Sequence, residues 1–182
     1  MAAALLWLAS QHAFANHDVL LLLNQPGTHA IMRHATAPGV GDPEGFVLGD
    51  CTTQRNLSQA GLNEARALGE TLAKKQIRFT AVYSSQWCRC LHTAHALNAG
   101  QVQALPALNS FFQQRDKESE QTRLLQAFLR TLQTNDKVML VTHQVNITAL
   151  TGIVPRPGEV IVFTPHADGS VKVLGRWRPD EL

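Results

Sequence analysis

Thr28-His29-Ala30-Ile31-Met32-Arg33-His34 decides the architecture of this chain: residues 28–32 form a short apolar run that closes on a guanidinium and an imidazole. A run this short and this apolar suits a central strand better than a helix. The same ending recurs far along the chain, where the apolar run 137–141 closes on Thr142-His143. Between the two lies Tyr83-Ser84-Ser85-Gln86-Trp87-Cys88-Arg89, which leads out of a strand and sets an arginine one turn into a helix. In a parallel sheet such strand ends fall on one edge, so Arg33, His34, Arg89 and His143 can converge there. Two arginines and two histidines on one edge suit an oxyanion, a phosphate above all.

Working outward, residues 17–23 read as a short helix stopped by Asn24-Gln25-Pro26-Gly27. A glycine- and proline-rich loop fills 35–56, a length that marks a functional segment. Ser58 is the expected N-cap of a helix whose Leu62, Ala65, Leu68, Leu72 and Ala73 share one face. The spacing predicts a strand over 79–83, then a helix over 86–97 capped by Ser84 or Ser85, and a weak strand over 101–105. A helix over 118–132 has Leu124, Leu125, Phe128, Leu129 and Leu132 on its apolar side. A strand over 138–141 and a helix over 145–151 follow. Residues 159–164 and 170–176 then alternate around Asp168-Gly169, a hairpin signal. Helices between short apolar strands predict a three-layer α/β/α sandwich with a mostly parallel central sheet and a late antiparallel hairpin.

With 182 residues the chain has room for one domain with a real core. Its net charge of +2, from 16 basic and 14 acidic residues, is too small to build a nucleic-acid surface. Residues 1–15 are apolar apart from Ser10, Gln11 and His12 and end in Ala13-Phe14-Ala15, a small-x-small triplet of the kind signal peptidase cuts after. They predict an export signal, too short to span a bilayer, followed by a domain over 16–182, with no stable membrane insertion after cleavage. No Lys or Arg precedes the apolar block. The plainer alternative, an N-terminal helix packed on the domain, would leave the protein cytoplasmic rather than periplasmic or secreted. Three buried thiols are the simplest reading of Cys51, Cys88 and Cys90. In an oxidising compartment Cys51 could instead bridge to Cys88 or to Cys90, but not to both.

The motifs resemble those of the histidine phosphatase, or phosphoglycerate mutase-like, superfamily. Met32-Arg33-His34-Ala35 is similar to its Arg-His-Gly signature, with Ala35 in place of glycine. Residues 84–94, Ser-Ser-Gln-Trp-Cys-Arg-Cys-Leu-His-Thr-Ala, resemble its Ser-Ser-x-x-x-Arg-x-x-x-Thr-Ala block. Val141-Thr142-His143-Gln144 resembles the second histidine motif, with Gln144 where glycine is usual, and Leu57-Ser58-Gln59-Ala60-Gly61 resembles the helix start after the first loop. The resemblance implies a phosphatase of phosphoric monoesters or phosphoramidates. In it His34 is the nucleophile, Arg33 and Arg89 hold the phosphoryl oxygens, and a protonated His143 adds a further donor.

Because arginine and histidine supply the charge themselves, no metal or other cofactor is called for, and His92 and His95, one helical turn apart, read as ordinary helix residues. The expected partner is a small phosphorylated substrate, with phosphate itself able to occupy the site. Arg55, Asn109 and Gln144 are candidate substrate-binding residues. The sequence departs from the family at the acid: Asn109 stands where a glutamate is usual, and an amide delivers no proton. Asp42, Glu44 and Asp50 in the first loop are the candidate replacements. The other solutions are a leaving group that departs without a proton, or a protein that binds a phosphate ester or envelope glycan without turnover.

Overall fold

The computed structural model describes residues 19–178. The expected export signal, and the start of the expected first helix, lie outside them. A short 3₁₀ turn at Leu20–Asn24 opens the described chain. Six strands follow: β1 (His29–Arg33), β2 (Ala81–Ser84), β3 (Val102–Ala104), β4 (Val138–Thr142), β5 (Val160–Pro165) and β6 (Val171–Trp177). Four α-helices join them: α1 (Gln59–Lys74), α2 (Cys88–Leu97), α3 (Glu118–Leu129) and α4 (Gln144–Thr151).

The sheet order is β3-β2-β4-β1-β5-β6. The first four strands in that order run parallel, and β5 and β6 add an antiparallel pair at the edge. Strand residues alternate between two cores, as a sheet covered on both faces requires. Ala30, Met32, Val82, Met139 and Val141 pack with Leu68 and Leu72 of α1 and Ala94 and Leu97 of α2. Ile31 and Leu140 point the other way, to Leu125 and Leu129 of α3 and Ile147 of α4. The three-layer α/β/α sandwich expected from the sequence is the fold.

Local chemistry sets the helix ends. Ser58 caps α1 by accepting a hydrogen bond from Gly61 N at 3.0 Å. Neither Ser84 nor Ser85 caps α2, whose N-cap is Trp87 without a side-chain bond; the two serines are spent elsewhere. Glycine is needed where helices approach other backbone closely. A Cβ on Gly61 would lie 2.2 Å from the Thr36 carbonyl oxygen, and one on Gly69 would lie 2.0 Å from that of Leu97. The two helical faces are narrower than the sequence suggested: Ala73 and Leu124 are exposed, because each sits past the edge of the stripe that meets the sheet.

Candidate active site

β4 lies between β1 and β2, so the three strands whose ends carry the polar motifs are adjacent and parallel. Arg33 pairs with Thr142 and Ser84 with Val141 in register, which brings residues 33–34, 142–143 and 84–85 side by side. Beyond the ladder, His34 N donates to the Thr142 carbonyl at 2.9 Å and Ser85 N to that of Val141 at 2.9 Å. A cleft of about 130 Å³ opens on this edge, and Arg33, His34, Asp42, Arg55, Arg89 and His143 all line it. Three arginines against one carboxylate leave the cleft strongly positive.

His34 is buried, with Nδ1 2.8 Å from the Ala35 carbonyl oxygen. A carbonyl only accepts, so the ring proton sits on Nδ1 and the lone pair on Nε2. Burial pushes its pKa down to about 3; the Ala35 bond opposes that shift, and the charges of Arg89, Arg33 and Arg55 reinforce it. His34 is thus a neutral imidazole with one free nitrogen. Its ring stands edge-on to that of His143, centroids 5.6 Å apart.

His143 corrects one expectation. Burial first, then His34 and the three arginines, holds its pKa well below the ordinary value, so it is neutral rather than cationic. Its Nδ1 lies 3.4 Å from an Arg89 terminal nitrogen, which can only donate, so Nδ1 accepts and Nε2 carries the proton. Nε2–H then donates to Ser85 Oγ at 2.8 Å, and Ser85 donates onward to Asn109 Oδ1 at 3.3 Å. Ser85 was not singled out from the sequence as a site residue, although it lies inside the quoted Ser-Ser block. Thr93 of the same block was missed likewise: its hydroxyl accepts from Ala35 N at 3.1 Å and donates to the Arg89 carbonyl at 2.7 Å, tying the first motif to α2.

Asn109 does not line the cleft. Its amide accepts from Gln86 N at 3.0 Å and donates to Gln86 Oε1 at 2.8 Å, so it braces the turn from β2 into α2. The loop carboxylates divide in the same way. Glu44 and Asp50 are exposed and off the cleft, and Asp50 caps a 3₁₀ turn through Thr52. Asp42 points in. Its two oxygens meet the two terminal nitrogens of Arg89 at 2.6 and 3.1 Å, with both side chains almost wholly buried. Trp87 Nε1 also donates to it at 2.9 Å. Burial works against its charge, but the Arg89 and Trp87 bonds and the Arg89 charge outweigh it, so the Asp42 pKa is lowered and the group is ionised.

Arg55 lines the cleft and also latches the loop, donating through Nε to the Gly41 carbonyl at 2.7 Å and through a terminal nitrogen to that of Ala37. Gln144 stands exposed on the cleft wall at the start of α4. The loop is fastened at two further points. Phe46 stacks on Trp87 at 5.0 Å, and Cys51 forms a disulfide with Cys88, Cα atoms 5.6 Å apart. The three separate thiols expected from the sequence are therefore replaced by one bridge and a buried free Cys90. Among the described residues no group of three or more His, Cys, Asp or Glu side chains is arranged to hold a metal ion.

A family model of the histidine phosphatase superfamily (branch 1) matches residues 29–112. No curated protein matches the chain. Among solved structures it is similar to the protein histidine phosphatase SixA complexed with tungstate, at TM-score 0.59 and 17% identity over 84% of this chain and 97% of that one. It is also similar to a mycobacterial glucosyl-3-phosphoglycerate phosphatase, at TM-score 0.59 and 16% identity over 82% and 97%. A third is a phosphoserine phosphatase mutant from Entamoeba histolytica in complex with phosphoserine, at TM-score 0.57 and 15% identity over 85% and 98%. The matched segment runs from the Arg33-His34 strand end past the Arg89 helix, and the fold returns His143 to both. Over residues 29–112 the chain matches the histidine phosphatase superfamily, and its fold is that of the solved histidine phosphatases.

Proposed function

We propose that the protein is a metal-independent phosphatase that hydrolyses a small phosphorylated substrate through a phosphohistidine on His34. One observation carries the reading: a neutral imidazole with its lone pair on Nε2 stands in a cleft lined by Arg33, Arg55 and Arg89. Nε2 forms a bond to phosphorus as the bond from phosphorus to the leaving group breaks, and the bonding pair departs with that group. The arginines balance the charge on the transferring phosphoryl oxygens. Water then attacks phosphorus, the N–P bond breaks, and the pair returns to Nε2. Neutral His143 positions the Arg89 guanidinium by accepting from it. The likeness to SixA with tungstate and to a phosphoserine complex supports a phosphoryl ligand.

The test is a label. A ³²P-labelled phosphodonor should leave acid-labile, base-stable label on His34. His34→Ala should lose both label and turnover, by about 10⁴-fold or more, as loss of a covalent nucleophile does. Equal turnover by the variant would refute the mechanism. A second reading, a binder without turnover, is favoured by Asp42 being ionised and Asn109 being tied down, so that among the described residues lining the cleft no carboxylic acid stands ready for the leaving group. Turnover of p-nitrophenyl phosphate by the purified protein decides against it. We place the protein in the periplasm or outside the cell, as a domain over 16–182. The Cys51–Cys88 bridge supports this, since such bonds persist in oxidising compartments.

A further inference from the structure

The donors of Arg89 are already taken. Its terminal nitrogens carry four hydrogens, and four protein acceptors lie within reach. One nitrogen meets Asp42 Oδ1 at 2.6 Å and the Arg55 carbonyl at 3.4 Å. The other meets Asp42 Oδ2 at 3.1 Å and His143 Nδ1 at 3.4 Å. Only Nε, buried and without a hydrogen-bond partner, is uncommitted. A phosphoryl group that needs the forked end of Arg89 therefore meets a carboxylate already bound there in the same two-oxygen geometry.

We propose that Asp42 is the resident anion of this site and sets its selectivity: it occupies Arg89 in the absence of substrate and yields to a phosphoryl dianion, but not to a monoanion. This rests on the cleft being the phosphoryl site. An incoming carboxylate or phosphodiester brings the one negative charge that Asp42 already supplies, so the exchange gains little. A terminal phosphoryl group brings two charges and three oxygens to a cleft that also holds Arg33 and Arg55. The backbone around Asp42 suits an exchange. Gly39 and Gly41 adopt φ of 91° and 69°, values open to glycine, and a Cβ on either would meet nothing nearer than 3.4 Å. The loop is held before Asp42 by Arg55, through the Gly41 and Ala37 carbonyls, and beyond it by Phe46 on Trp87 and the Cys51–Cys88 bridge, so the exchange is confined to Asp42 and the few residues between these points. Trp87, which donates to Asp42, reports whether the carboxylate is in place.

The experiment compares wild type with Asp42→Asn by titration calorimetry, using inorganic phosphate and the monoanion dimethyl phosphate. Asp42→Ala serves as a second variant, and thermal melts confirm that each is folded. The proposal expects inorganic phosphate to bind the variants about 10- to 100-fold tighter, the factor by which a mostly occupied resting state lowers apparent affinity. Dimethyl phosphate should bind the variants but not wild type. Phosphate should change Trp87 emission in wild type, and a Trp87→Phe variant identifies that signal.

If Asp42 is instead a strut that positions Arg89, both variants will bind phosphate more weakly or no better than wild type, and the proposal is refuted. That result leaves the phosphatase reading standing, because wild type still binds phosphate and labels His34. If no form of the protein binds phosphate and none labels His34, both readings fall.

Discussion

Breaking the Cys51–Cys88 bridge, by Cys51→Ser with Cys88→Ser or by reduction, should destabilise the fold by an amount set by chain length. The bridge closes a loop with a sequence separation of 37 residues that contains all of α1 and β2. In the chain-entropy account, closing such a loop removes about 13 cal/mol/K from the unfolded ensemble, or about 4 kcal/mol at 25 °C. For a domain of this size that corresponds to a fall of about 10 °C in Tm. Urea unfolding followed by far-UV circular dichroism, with and without a non-thiol reductant, measures it directly. The midpoint should drop by about 2 M if the slope is about 2 kcal/mol/M. A loss below about 1 kcal/mol would refute the reasoning. It would mean either that the reduced unfolded chain keeps the loop closed or that the bridge strains the native state.

Two further outcomes follow from the packing and the buried imidazoles. Gly69→Ala should destabilise despite the better helix propensity of alanine, worth about 1 kcal/mol, because its Cβ would lie 2.0 Å from the Leu97 carbonyl oxygen. Denaturant melts showing a stabilised variant would show that α1 and α2 can part at no cost. Stability should also fall with pH. The pKa of His34 drops from 6.5 to about 3 on folding and that of His143 drops well below 6.5, so the unfolded chain binds protons that the native one refuses. The contribution of the neutral imidazoles is complete above pH 6.5 and is lost progressively as pH falls from there toward 3. A urea midpoint unchanged between pH 7.5 and pH 5 would contradict the assigned neutral forms.

Both histidines and both arginines were legible in the sequence because each closes a strand or opens the helix after one. A parallel sheet converts that position in the chain into a position on one edge. The α/β order and the late hairpin were legible for a related reason: residues such as Ile31, Val82 and Leu140 alternate between two apolar faces, and Asp168-Gly169 marks its own turn. Ser58 was legible as a cap because capping is decided within one helical turn. What the polypeptide order left open was every choice between chemically equal candidates. Asp42, Glu44 and Asp50 are alike in sequence, and only the path of the loop over α2 brings the first of them to Arg89. Cys88 and Cys90 are two residues apart, yet helix geometry turns one toward Cys51 and buries the other against Thr142 and His143. The charge state of His143 depends on its burial and on the charges of groups from three other segments, at residues 33–34, 55 and 89, and the amide of Asn109 was consumed by a turn more than twenty residues earlier. Periodicity and capping are local and survive in the sequence, whereas partner choice and proton affinity arise from packing between distant segments and exist only in the folded chain.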